Sequence, residues 1–373
     1  MLKNVNWDIT SKCNLRCKHC GASTTIQREI PTKIVGKVLK DLSDIGCYHV
    51  TIAGGEPLVR EDIFEILKQA SDLNIQAAIL TNGTLLTKQT VEKLSKFNNI
   101  SYIRVSLDYA NEKMHDGFRG VDGSFRQVKN GLSYLTDASI RVGIGSTILP
   151  DNLSEVEGLI NFSIQNNVDF IRITPAAKIG RAKQEDLDIN HHVCVLKSIL
   201  DNLAKHIQYL KLGVTPVPWN SSKIGELLAT QCPAGLETCS ISPDGFIKLC
   251  PMLPIPIDEN YNIEKRGFKE VWEDIKNNIV TIRPDIIHLR GKCKRCHVKN
   301  RCNGGCILEK LSIGLNMDDE QPICIVEIIK SALKERILEK NIRRILSDIL
   351  YRHSLSPSAC FRSLPLWYYM LKK

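Results

Sequence analysis

Three cysteines, Cys13, Cys17 and Cys20, stand in TSKCNLRCKHCGAS with the spacing CxxxCxxC. Thiolates this close in sequence reach one metal site only from a loop, and such triplets are typical of iron–sulfur binding. Three protein ligands on a four-iron cluster leave one iron open to a substrate or cofactor, whereas a four-cysteine structural site is closed. The competing chemistry is a zinc site or three buried thiols. Zinc sites, however, usually pair one CxxC with a second pair.

A second group lies far downstream: Cys232-x12-Gly245-x4-Cys250, then Cys293-x2-Cys296-x5-Cys302-x3-Cys306, then Cys324, with Cys239 inside the first interval. Cys47, Cys194 and Cys360 stand alone and read as ordinary thiols, since cysteine behaves as a small hydrophobe in a core. Fourteen cysteines in a chain without an export signal argue for metal ligation rather than disulfides, because cytosolic thiols stay reduced. Zinc knuckles are the alternative use of CxxC pairs. Ser242-Pro243-Asp244-Gly245 signals a hairpin that folds Cys250 back toward Cys232.

The elements that must position these groups are legible. Six β-rich runs, VNWDIT, YHVTIA, IQAAILT, SYIRVSL, RVGIGSTIL and DFIRITP, alternate with helix-like segments as far as about residue 212. That alternation predicts βα units around a parallel sheet, an α/β partial (β/α)6 TIM-like barrel, with chemistry at the C-terminal ends of its strands. Residues 214–324, rich in Gly, Pro and Cys, have weak periodicity and need staples. Residues 325–352 return to a helical period, and an aromatic tail follows. The expected division is therefore 1–213, 214–324 and 325–373.

The first cysteine segment resembles the signature of the radical S-adenosylmethionine (SAM) superfamily, and the motifs after the later strands match that family as well. The resemblance implies a [4Fe-4S] cluster on Cys13, Cys17 and Cys20 with S-adenosyl-L-methionine at its open iron. It places His19 near the adenine. Gly54-Gly55-Glu56-Pro57 corresponds to the family's GGEP motif at the methionine amino group: paired glycines allow close backbone approach, and a carboxylate suits an ammonium. Ser106 and Asp108 suit ribose hydroxyls, although an Asp at a strand end is often a helix cap. Thr81-Asn82-Gly83 forms a polar turn, and His115-Asp116 with Arg119-Gly120 echoes a family stretch. Thr147, Asn152, Arg172 and Gly180-Arg181-Ala182 match further positions, with Arg172 or Arg181 as alternatives for the methionine carboxylate.

The downstream cysteines resemble the SPASM domain, which implies two auxiliary iron–sulfur clusters. By that resemblance Cys293, Cys296, Cys302 and Cys324 hold one, and Cys232, Cys250 and Cys306 hold the other, with Cys239 as the natural fourth ligand. If Cys239 points away, the second cluster has an open iron or only two irons.

These features imply reductive cleavage of S-adenosylmethionine to a 5′-deoxyadenosyl radical, with electrons from an external donor such as flavodoxin or ferredoxin. The leading substrate is a ribosomally made peptide undergoing oxidative modification or crosslinking, by family analogy. Sulfatase maturation is disfavoured because Pro251, not Asp, follows Cys250. The chain begins at the first strand, so a separate leader-binding protein is expected for a peptide. The alternatives are a small-molecule enzyme of tetrapyrrole or haem type and, in another class, a non-catalytic electron carrier or zinc-binding interaction protein. In 373 residues, 43% hydrophobic and with net charge +9, basic and acidic residues are interspersed, which argues against nucleic acid. No run reads as a membrane span or a secretory signal, so a cytoplasmic location is expected.

Overall fold

The computed structural model describes residues 1–21, 28–185, 187–188, 190–192, 194–195, 198–199, 202, 213–214, 232–253, 256–296, 299, 303–311, 313–322 and 324. The predicted C-terminal helix and tail, Cys302 and Cys360 lie outside these residues.

All six predicted strands form, in order: β1 Asn4–Thr10, β2 His49–Gly54, β3 Gln76–Thr81, β4 Ile100–Ser106, β5 Val142–Ile148 and β6 Phe170–Pro175. Each pairs in parallel with its predecessor. Between them run α1 Thr32–Asp44, α2 Ile63–Asp72, α3 Lys88–Leu94, α4 Glu112–Arg119, α5 Ser124–Asp137 and α6 Val156–Gln165. Alternate residues of a strand face opposite sides. Val5, Trp7, Ile52 and Ile79 meet the buried stripe Val35, Val38, Leu39 and Leu42 of α1 and its counterparts on α2 in one continuous core. Burying each such side chain contributes roughly 1.5–3 kcal/mol, which sets the register.

The sheet continues past these six strands. Gly213–Val214 (β7) pairs with β6, and Thr238–Ile241 (β8) pairs in parallel with β1, from Asn4↔Thr238 to Trp7↔Ile241. The expected hairpin then returns antiparallel as β9, Ile247–Lys248. Its turn is closed by the Phe246 amide donating to Ser242 Oγ at 3.0 Å, with Gly245 at φ +85°, a conformation glycine adopts without strain. The cysteine-rich segment thus begins as an extension of the sheet.

On the face opposite the helices, side chains bridge next-nearest strands over small residues. His49 on β2 bonds Asn4 Oδ1 at 2.7 Å through Nδ1 and Ser101 Oγ at 3.1 Å through Nε2. Tyr102 on β4 meets Phe170 on β6 edge-on at 5.3 Å, above Gly143. Contacts of this reach close one end of a concave inner face.

Candidate functional site

The three cysteines follow β1 directly, with Cys13 exposed, Cys17 buried and Cys20 half-buried. Their loop is fixed from three sides. The Arg16 and Lys18 amides donate to Arg119 O and Phe118 O, both at 3.0 Å, at the end of α4. The Arg181 amide donates to Cys20 O at 3.1 Å, where Gly180 packs so tightly that a Cβ would stand 2.2 Å from that oxygen. The loop's root is held by the Gly55 and Glu56 amides, which donate to Thr10 O and Lys12 O at 2.8 Å.

The sulfurs themselves receive N–H donors, as cluster thiolates do. Leu15 N donates to Cys13 Sγ at 3.4 Å and Arg119 Nη1 to Cys17 Sγ at 3.4 Å, while Asn82 Nδ2 approaches Cys13 Sγ at 3.9 Å. Partial desolvation within the loop holds the Cys13 thiol above its usual value although the residue is exposed overall; the Leu15 amide opposes this, and Glu56, Cys17 and Cys20 add to it. Among the described residues no three Cys, His, Asp or Glu side chains converge on a point that one ion could occupy. The three thiols lie within electrostatic reach of one another on the loop.

Two residues expected at the cofactor also bind the chain's own groups. Glu56, expected to meet an ammonium, is 0% exposed, and its carboxylate already accepts from Thr81 Oγ1 at 2.7 Å, Asn82 N at 2.6 Å and Leu58 N at 3.1 Å. Burial pushes its pKa up to about 7. It ties the Thr81-Asn82-Gly83 turn to the GGEP segment. The glycines likewise admit the chain's own backbone: a Cβ on Gly54 would stand 2.2 Å from Thr10 O, and one on Gly55 2.2 Å from Lys12 O. Pro57 is buried and opens a short 3-10 turn.

Asp108, also 0% exposed, accepts from Thr147 N at 2.9 Å through Oδ1 and pairs with Arg119 through Oδ2, which has no hydrogen-bond partner of its own. Asn152 completes this bracket, donating to Asp108 O at 3.0 Å and Thr147 O at 3.1 Å. Ser106, by contrast, is partly accessible at the end of β4. His19 stacks on Phe118 at 4.9 Å with 16° between the rings, and burial pulls its pKa down to about 4. Its buried Nδ1 has no partner, an orphan that a ligand in this loop could satisfy. Arg172 lies on the inner face of β6, level with Gly145. Asp116 is structural: its carboxylate accepts from Gly123 N, Ser124 Oγ and Phe125 N at 2.6–2.8 Å and fixes the start of α5, while His115 meets Phe125 edge-on at 5.8 Å.

Of the second group, Cys232, Cys250 and Cys306 gather in one small cluster with Ile179, Ala234 and Leu249. Cys293 is buried and Cys296 half-buried one helical turn on; Gln321 N donates to Cys293 Sγ at 3.3 Å. Cys302 lies outside the described residues, and Cys324 is half-buried. Cys239 does not join either set. It is the middle of β8, paired with Val5, and its side chain is buried in the sheet–helix core beside Cys47. Strand alternation turns it to the helix side, so the Cys232, Cys250 and Cys306 set has three described thiols and no fourth from this position.

Sequence reasoning left three contributors without a role. Arg119 carries a charge to Cys17, a pairing that crosses 102 residues and has no local signature. Arg283 is wholly buried, pairs with Asp285 at 2.7 Å and donates to Cys232 O at 3.4 Å and to Ala234 O. Ile179 touches both sites, packing on Gly21 beside Cys20 and on the Cys306 cluster.

The sequence model of the radical SAM superfamily matches residues 7–163. The AdoMet-dependent heme synthase of Methanosarcina barkeri is 28% identical over 340 residues, covering 86% of this chain and 95% of that protein. The mycofactocin maturase MftC of Mycolicibacterium smegmatis is 27% identical over 346 residues, covering 90% and 86%. Among solved structures, Streptococcus suis SuiB bound to S-adenosylmethionine superposes with TM-score 0.71 at 21% identity, over 87% of this chain and 77% of SuiB. SuiB bound to its precursor peptide SuiA superposes with TM-score 0.69 at 20% identity, over 86% and 75%. The matched segment runs from Trp7 in β1 through the cysteine loop into α6 and includes β2 to β5, so residues 7–163 carry a radical SAM domain.

Proposed function

We propose that this enzyme binds a [4Fe-4S] cluster on Cys13, Cys17 and Cys20 and S-adenosylmethionine at its open iron. The observation that carries the reading is the thiol loop at the C-terminal end of β1, with N–H donors on two of its sulfurs and the hollow inner face of the sheet beside it. Held by Cys13, Cys17 and Cys20, such a cluster would supply one-electron reduction of the bound sulfonium and so the radical chemistry of hydrogen abstraction from a substrate. The chain's own residues hold and shield this chemistry. Arg119 neutralises Cys17, Phe118 and His19 form an aromatic wall, and Ser106 offers a hydroxyl at the end of β4. Water and oxygen must be excluded for so reducing a site to work.

Residues 214–324 are read as an auxiliary-cluster unit, with Cys232, Cys250 and Cys306 for one cluster and Cys293, Cys296, Cys302 and Cys324 for the other. Such clusters accept the second electron of an oxidative outcome. A ribosomally made peptide is the leading substrate, supported by the likeness to MftC and by the fold shared with SuiB, which was crystallised with a precursor peptide. A leader-binding partner and an external reductant such as flavodoxin or ferredoxin belong to this reading, in a cytoplasmic setting; no helix among the described residues is long and apolar enough to cross a membrane. The second reading, a tetrapyrrole substrate, is favoured by the heme synthase relative, which aligns over nearly its whole length.

Anaerobic reconstitution, iron and sulfide counting, and incubation with dithionite and S-adenosylmethionine test the chemistry. Release of 5′-deoxyadenosine that Cys17→Ala abolishes is the expected result. No product from a fully loaded wild-type protein would refute it.

A further inference from the structure

The inner face of the sheet is layered. Ala78, Tyr102 and Phe170 pack as an apolar floor at the N-terminal end of the strands. Ser106 stands at the opposite end, near the cysteine loop. Between the two levels, strand alternation shows a hollow. On β4, β5 and β6 the inward residues Arg104, Gly145 and Arg172 are partly accessible, whereas Ile103, Ile144 and Ile171, which point to the helices, are 0% exposed.

Arg104 projects into this hollow, surrounded by protein. Its side chain lies across Gly145, where a Cβ would stand 3.0 Å from Nε and 3.1 Å from Cδ, so glycine there leaves the guanidinium its path. Gly145 pairs in register with Arg172, which brings a second cation to the same level. Burial disfavours the charged form of Arg104, and the one electrostatic neighbour acting on it is Tyr102. Among the described residues it has no ion pair and no hydrogen bond. Asp8, on the inner face of β1, is matched by Lys248 at 3.3 Å. An arginine stays charged in a protein, and an enclosed charge without a partner is costly. Such a group is kept where a ligand completes it.

We propose that Arg104 anchors a carboxylate of the substrate inside the barrel, in a bidentate pairing that suits guanidinium geometry. The site is two residues below Ser106 along β4, about 7 Å from the cofactor level. A substrate held there by its acid group presents the rest of its length toward the cysteine loop. This rests on the radical SAM reading above. The carboxylate can belong to a peptide or to a porphyrin propionate, and the two arms of the test separate them.

Binding is measured on reconstituted wild type, Arg104→Gln and Arg104→Lys. One arm uses an iron porphyrin with free propionates against its methyl ester, read in the Soret band. The other uses a pool of ten-residue peptides with free carboxylates against the same pool amidated. We expect one acid probe to bind wild type at least tenfold more tightly than its neutral form. Arg104→Gln should erase that difference, and Arg104→Lys should restore part of it. S-adenosylmethionine affinity, read from the cluster's EPR signal, should change less than twofold, as expected of a residue that holds the substrate rather than the cofactor. The ligand-free Arg104→Gln protein should melt several degrees higher, because an unmatched charge has been removed. Equal binding of acid and neutral probes, no binding of either acid probe by wild type, or an unchanged affinity in Arg104→Gln overturns the proposal. A tenfold loss of S-adenosylmethionine affinity also overturns it, by assigning Arg104 to the cofactor. Failure of wild type to form 5′-deoxyadenosine strikes the radical reading alone and is scored separately from these binding data.

Discussion

Arg119 Nη1 donates to Cys17 Sγ at 3.4 Å while its Nη2 pairs with the carboxylate of Asp108, which is 0% exposed. One buried guanidinium thus serves Cys17, a ligand of the proposed cluster, and a buried acid together. Hydrogen bonds and charge at the sulfurs tune cluster potential. Arg119→Gln should therefore lower the midpoint potential of the Cys13, Cys17 and Cys20 cluster, because the reduced, more negative state loses a cation. It should also cost about 3–5 kcal/mol by leaving Asp108 unpaired. EPR-monitored redox titration and denaturant unfolding measure the two effects, and an unmoved potential would show that the contact is only structural.

The Cβ positions of the GGEP glycines are filled by the chain's own backbone. A Cβ at Gly55 meets Lys12 O at 2.2 Å, and a carbonyl cannot swing aside as a side chain can. Gly55→Ala is expected to displace the loop root and drop iron content at the first cluster. Gly117→Ala is the control: a Cβ there has nothing within 4 Å, and Gly117 sits inside the helix Glu112–Arg119. That change should stabilise slightly, by about 1 kcal/mol. Iron and sulfide per chain distinguish the two.

Cys239 and Cys306 make a matched pair for testing the proposed auxiliary site. Cys306 sits with Cys232 and Cys250, while Cys239 sits in the sheet core beside Cys47. Cys306→Ala should lose one cluster's iron. Cys239→Ala should keep all of it and cost about 1 kcal/mol as a small core truncation. Iron loss from Cys239→Ala comparable to that from Cys306→Ala would return it to the ligand set.

His49 gives a stability signature in acid. Burial pulls its pKa down to about 4, so it stays neutral in the folded chain while the unfolded chain takes up a proton near 6.5. Its contribution is whole above pH 6.5 and is lost as pH falls toward 4, by on the order of 3 kcal/mol. His49→Gln should flatten that part of the pH–stability curve and lose the bridge from Asn4 to Ser101. Urea midpoints at pH 7 and pH 5 provide the comparison.

The sequence alone determined the six strands, their order and the cysteine loop. Hydrophobic alternation is local, and CxxxCxxC fits its ligands within eight residues. The hairpin at Ser242–Gly245 was equally legible, since turn chemistry is written in four residues. Side-chain direction at long range was not. Whether Cys239 meets Cys232 or Cys47 depends on its parity in a strand that pairs with β1 from more than 230 residues away. Glu56 was readable as an acid beside a cofactor, but only the folded chain brings Thr81 and Asn82 to occupy its oxygens. The unmatched charge of Arg104 is of the same kind. A charge is defined by its residue, and its lack of a partner by everything the fold places around it.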